Sequence, residues 1–254
     1  MHKTKAFCFG ALVLIAATIT NAPAKANDNP SAEEPLITVE GTTITYVGKI
    51  SVKSVGRLLN AVKGNKFETL VISSGGGEIN AAMKMGSWVF DNNIDVVVDG
   101  VCMSSCANYV FTAGRRKTIK NGSIVAWHGN ALQESGMSEK DVRESVIEAF
   151  NRLPESEKKK QNLEDLVRKS IEQMREYRAA SKKRQAQFFA KIGVDEYVCR
   201  IGNEKYRAQD FYILSVEDMN RFGIHNVQAP ENYEKTDLTP FRRKGKEIQH
   251  IKLH

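Results

Sequence analysis

The sequence contains no Gly-Lys-Ser/Thr phosphate-binding loop, which argues against chemistry driven by ATP. Past its N-terminal stretch it also lacks any run near the ~20 apolar residues that a membrane-spanning helix needs, so the remaining chain is expected to be soluble. Cysteine is scarce, with 4 in 254 residues. A zinc centre built from Cys102, Cys106 and His128 would lack both the usual close cysteine spacing and a fourth ligand, so no metal and no cofactor are expected. No internal repeat or long low-complexity tract interrupts the chain.

What the N-terminus does have is the pattern of a secretory signal. Lys3 and Lys5 precede the apolar stretch from Ala6 to Ile19, and Ala24-Lys25-Ala26 supplies a small-x-small cleavage site. Cleavage after Ala26 is expected, which implies a periplasmic or secreted bacterial protein. The formal charge is +7, and Lys3, Lys5 and Lys25 leave with the signal, so the mature chain carries +4. That mild excess fits a solvated or envelope-facing surface better than a nucleic-acid partner. Cys8 is removed as well. Cys102, Cys106 and Cys199 then face an oxidising compartment, where one pair and one free thiol are expected. Cys102 and Cys106 can bridge if a helix starts between them; Cys199 with either of them is the competing connectivity.

Alternation around Gly41 predicts two short strands between Leu36 and Tyr46. The period then changes: Val52, Val55, Leu58, Leu59 and Val62 recur at helical spacing. Thr69 to Ile72 is a wholly apolar strand that runs into Ser73-Ser74-Gly75-Gly76-Gly77. A helix from Ile79 to Phe90 follows, then a strand from Ile94 to Val98 ending at Asp99-Gly100. A helix from Ser104 to Thr112 comes next, then a strand from Ile124 to Trp127 ending on His128. Strand, glycine turn and helix alternate in this way over residues 68 to 128, the signature of a layered α/β core.

Residues 138–192 are charged and helical in pattern, with Leu163, Leu166, Ile171 and Met174 as a sparse apolar stripe that suggests a cap or an oligomer contact. Strand character returns at Gln209 to Leu214, and Ser215 caps a helix. Residues 241–254 are basic and expected to lack fixed structure. The domain reading is therefore 1–26 signal peptide, 27–240 one α/β domain with a helical insertion at 138–192, and 241–254 tail.

Both glycine turns and His128 follow buried strands, and so should share the sheet edge where α/β folds hold active sites. Gly75-Gly76-Gly77 allows close backbone approach and leaves amides to face an oxyanion; a lone triplet of this kind is more often an ordinary tight turn or linker. Ser104, at a strand-to-helix turn, meets the helix dipole; if the motif stood alone, ordinary N-capping by Ser104 and Ser105 would be the better reading. Cys106 as a nucleophile is a weaker reading, because it would sit one turn into the helix, directed away from the edge.

The ordered set of Ser74-Gly75-Gly76-Gly77-x-Ile79, Gly100-x-x-x-Ser104 and Ser123-x-x-x-Trp127-His128 resembles the proteolytic subunit of Clp protease and its crotonase-like relatives. The resemblance covers about residues 36–130 and rejoins at 209–227, where Leu214-Ser215-x-Glu217-Asp218 leads to Phe222-Gly223-Ile224. It implies repeated β-β-α units with a charged helical appendage, Ser104 as nucleophile, His128 as base, and Gly76 with Ser105 as oxyanion hole. It implies Asp210 as third member, although the spacing to Ser215 is one residue longer than the family's; Asp218, Glu204 or a bare Ser-His dyad remain open.

Two departures stand out: Gly75 replaces the proline usual before the paired glycines, and Cys102 and Cys106 flank Ser104. The implied function is ATP-independent serine hydrolysis of peptide or protein substrates by a homo-oligomer. An ester or thioester hydrolase on the same frame, or a non-catalytic binding or assembly module, are the alternatives.

Overall fold

A computed structural model describes residues 34–132, 138–242 and 246–254. The expected signal peptide therefore lies outside the described residues. The described residues fall into two compact units, 138–175 in one and 34–132, 176–242 and 246–254 in the other.

The larger unit is a mixed α/β structure around a seven-stranded, mostly parallel sheet in the order β1-β2-β3-β4-β5-β8, with β6 also paired to β4. Strands β1 (Leu36–Glu40) and β2 (Thr43–Val47) form the antiparallel hairpin expected around Gly41. Every other pairing in this sheet is parallel: β2 with β3 (Thr69–Ser74), β3 with β4 (Asp95–Met103), β4 with β5 (Lys117–Ile119) and with β6 (Ile124–Ala126), and β5 with β8 (Val227–Gln228).

Helix α1 (Val52–Ala61) starts at a capping box formed by Ser51 and Ser54, which satisfies amides the first turn leaves unpaired. Helix α2 (Ile79–Asp91) starts at Glu78, whose carboxylate accepts from the amide of Asn80 at 2.9 Å. Tyr46, Leu70, Ile72, Met85, Tyr109, Phe111, Trp127 and Tyr212 are all fully buried. Each such side chain contributes roughly 1.5–3 kcal/mol of transfer free energy, and this core fixes the sheet edge on which the site is built.

Strand β4 does not stop at Asp99-Gly100 as the sequence suggests. It continues to Met103 through a register shift, and its partner changes from β5 at Val96–Val98 to β6 at Val101–Met103. Gly100 makes this irregularity affordable. Its φ is +105°, and a β-carbon there would lie 2.8 Å from Ser73 Oγ. Two hydroxyls hold the bend: Ser123 Oγ accepts from the Gly100 amide at 2.8 Å, and Ser73 Oγ accepts from the Val101 amide at 3.3 Å. After the bend, Met103 pairs with Ala126, and the Ser104 amide donates to the Ala126 carbonyl at 3.0 Å. That register delivers the chain after Met103 beside the chain after Ala126.

In the smaller unit, α3 (Glu139–Asn151) is capped by Ser138 and followed by α4 (Glu155–Lys158) and the first part of α5 (Leu163–Ile192). Val142 and Val167 are buried there, and exposed ion pairs join Arg143 to Glu164 and Arg175 to Glu139.

Past α5, the short helix α6 (Ile201–Glu204) leads to β7 (Phe211–Ile213), and α7 (Val216–Arg221) follows with Ser215 as its N-cap. Within the stretch expected to lack fixed structure, β9 (Ile248–His250) pairs in parallel with β7, and Ile248, Ile251 and Leu253 are buried. Those apolar residues supply the driving force that the basic composition of the tail conceals.

Candidate active site

Ser104 sits where β4 gives way to a π-helical turn, Cys106–Phe111. Its φ is +57°, a left-handed conformation uncommon outside glycine, and such strain concentrates at functional turns. A short π segment is likewise a feature that recurs at functional sites. The helix expected from Ser104 to Thr112 is therefore wider and shorter than the α-helix its periodicity suggested. Ser105 precedes it without capping it: its hydroxyl donates instead to the Gly77 carbonyl at 2.8 Å, tying the two glycine turns together.

His128 is fixed on both sides by backbone bonds. Trp127 and Tyr212 exchange amide and carbonyl at 2.9 Å in each direction. On the other side, the Gly129 amide donates to the Cys199 carbonyl at 2.7 Å, and Asn108 Nδ2 donates to the Gly129 carbonyl at 2.7 Å. The imidazole packs on the Phe211 ring with centroids 4.4 Å apart. Ser104 Oγ lies 2.6 Å from His128 Nε2, a strong hydrogen bond in which the hydroxyl donates when the ring is neutral. Burial, reinforced by the positive charge of Lys246 and opposed by the negative charge of Asp210, pushes the imidazole down to about 4. The ring is neutral at physiological pH and available as a proton acceptor.

The glycine turn reaches the same place. A β-carbon on Gly76 would lie 2.9 Å from the Ser105 nitrogen, so this backbone borders the serine turn directly. Its own amide is occupied, donating to Ser74 Oγ at 3.1 Å. Beside Ser104, the Ser105 amide has no acceptor among the described residues, whereas the Gly76 amide is engaged by Ser74.

Asp210, the expected third member, lies close enough for its charge to act on His128 but makes no hydrogen bond to it. Its carboxylate accepts from Lys246 Nζ at 2.6 Å and from the Glu247 amide at 3.1 Å. The other two candidates are engaged elsewhere. Asp218 is buried and accepts from the Leu253 amide at 3.3 Å, and Glu204 pairs with Arg200 at 2.6 Å. No described residue bonds His128 Nδ1, so the arrangement is a dyad with an acid nearby.

Cys102 and Cys106 form a disulfide that spans Ser104, with their Cα atoms 5.2 Å apart, while Cys199 is free and buried. Of the two connectivities open in the sequence, the local one forms because the left-handed turn at Ser104 brings the end of β4 back toward the π-helical turn. Phe211 and Lys246 are members of this neighbourhood that the sequence did not reveal. No cluster of three or more metal-ligating side chains occurs among the described residues.

No family model matches this chain. No curated protein matches it either. Among solved structures, the chain is similar to a mutant of ClpP1 from Listeria monocytogenes at 18% sequence identity and a TM-score of 0.40, over 76% of this chain and 93% of that one.

Proposed function

We propose that this chain is an exported serine hydrolase that acts on peptide or protein substrates without ATP, on a Clp-protease- and crotonase-like frame of repeated β-β-α units. Ser104 is the nucleophile and His128 the general base. The observation that carries the reading is the 2.6 Å contact between Ser104 Oγ and His128 Nε2 at a strained strand-to-helix turn. The ordered glycine, serine and histidine motifs of the sequence support it independently.

In this mechanism the Ser104 oxygen attacks the scissile carbonyl while its proton passes to His128 Nε2. The tetrahedral oxyanion is held by the Ser105 amide with an amide of the glycine turn. His128 returns the proton to the leaving amine, and a water attacks the acyl-enzyme by the same route in reverse. The periplasmic location follows from the N-terminal leader pattern. Self-association follows from the family resemblance and the charged helical segment.

One observation favours the ester or thioester alternative. Without a hydrogen-bonded acid, the imidazolium that forms is less stabilised, which weighs most heavily on poor leaving groups such as amines. Turnover of a peptide panel against alkyl thioesters, without ATP and with Ser104→Ala as control, tests the proposal. Peptide cleavage lost in the variant supports it. Thioester turnover alone would move the assignment to the alternative, and turnover of neither substrate by the wild-type protein would contradict it.

A further inference from the structure

The segment 246–254 bears on the site more directly than a tail would. Strand β9 lies along β7 in parallel register, Phe211 opposite Ile248 to Ile213 opposite His250, with the Phe211 amide donating to the Glu247 carbonyl at 3.0 Å and the Ile251 amide to the Ile213 carbonyl at 3.1 Å. Phe211 is the residue whose ring packs against His128, and Asp210 is its immediate neighbour. The C-terminal strand therefore meets β7 where β7 meets the imidazole.

At this junction both carboxylate oxygens of Asp210 are taken. Oδ1 accepts from Lys246 Nζ at 2.6 Å, and Oδ2 accepts from the Glu247 amide at 3.1 Å. The ion pair is not deeply buried: the side chains of Lys246 and Asp210 are 54% and 22% exposed. An ammonium in such a place is held loosely enough to be exchanged for another donor. The backbone donor, by contrast, would keep the carboxylate in position after the ammonium left. Among the described residues, Lys246 and Asp210 are the charged groups that act on His128, and they act in opposite directions.

We propose that Lys246 is a positioning residue that withholds Asp210 from His128, so that the C-terminal strand holds the site as a Ser-His dyad and loss of the Lys246 contact completes a Ser-His-Asp triad. The activity part of this inference rests on the hydrolase reading given above. The protonation part does not. With the ammonium gone, Asp210 Oδ1 is free to accept from His128 Nδ1–H, and the remaining charge near the imidazole is negative. Both changes favour the protonated ring, so its pKa must rise from about 4. The same hydrogen bond stabilises the imidazolium formed during acyl transfer, an effect that is large where a triad acid has been removed from other hydrolases.

The test is a Lys246→Met, Lys246→Gln and Lys246→Arg series in the full mature chain, each checked for an unchanged circular dichroism spectrum. His128 is titrated by NMR and peptide turnover is followed in parallel. Lys246→Met should raise the His128 pKa and increase the acylation rate about tenfold or more. Lys246→Arg should restore both to wild-type values. Lys246→Gln, which removes the charge and leaves only a neutral donor, tests the rise in the His128 pKa by itself should the methionine variant misfold. A His128 pKa that is unchanged or lower in the neutral variants would overturn the assignment. A raised pKa with no turnover in any protein would support the positioning role while defeating the hydrolase reading, so the two fail separately.

Discussion

Gly76 packs so tightly on Ser104 that a β-carbon added to the glycine would lie 2.8 Å from Ser104 Cβ and 2.6 Å from the Met103 carbonyl oxygen. The position also has a φ of +89°, a conformation L side chains rarely adopt. Backbone strain and steric overlap therefore act together in Gly76→Ala. The variant should lose about 2–4 kcal/mol of stability and displace the serine from His128. Chemical denaturation, with the labelling rate at Ser104 measured on the folded fraction, checks both.

The left-handed backbone at Ser104 carries a cost of its own. Ser104→Gly should relieve it and raise stability by about 1 kcal/mol, whereas Ser104→Ala, which keeps the β-carbon, should leave stability within about 0.5 kcal/mol of wild type. Both abolish acylation. A glycine variant that melts lower than the alanine variant would show that the turn is not strained.

The disulfide between Cys102 and Cys106 spans the same turn, and both cysteines are fully buried. A loop this short restricts few unfolded conformations, so its entropic contribution is modest. Reduction should lower stability by about 2 kcal/mol and slow acylation of Ser104. Denaturant unfolding of oxidised and reduced protein measures the first, and labelling rates measure the second. Unchanged values for both would mean the bridge does not support the nucleophile.

Lys117 is a buried cation in β5, 5% exposed, with its ammonium donating to the His225 carbonyl at 3.0 Å. Burial pushes it down to about 8. The unfolded chain therefore binds more protons than the folded one from about pH 8 up to the ordinary lysine range, and wild-type stability should rise with pH through that window. Lys117→Met should be more stable than wild type by roughly 1–3 kcal/mol at pH 7 and lose this slope. Thermal melts from pH 6 to 10 give the comparison.

Much of the architecture was legible because its signals are local. The apolar runs at Thr69–Ile72 and Ile124–Trp127 and the helical periods after Ser51 and Glu78 correspond to elements that form where they were expected. Ser104 and His128 were legible as a pair through the motifs around them. Gly100 misled: glycine usually punctuates a strand, but here hydroxyls from Ser73 and Ser123 carry β4 through it. The hold on Asp210 was hidden for a different reason, since Lys246 lies 36 residues away and only the pairing of β7 with β9 brings them together. The order of the C-terminal residues was masked by their basic neighbours.

The central claim is that the Ser104 hydroxyl is activated by His128. Incubation of the protein with a fluorophosphonate, followed by intact and peptide mass spectrometry, tests it most directly. One adduct should form on Ser104, absent from Ser104→Ala and His128→Ala, retained in Ser105→Ala, and formed at a rate that falls only as pH drops toward about 4, where the imidazole becomes charged. A folded wild-type protein left unmodified, or modified at another serine, would contradict the account.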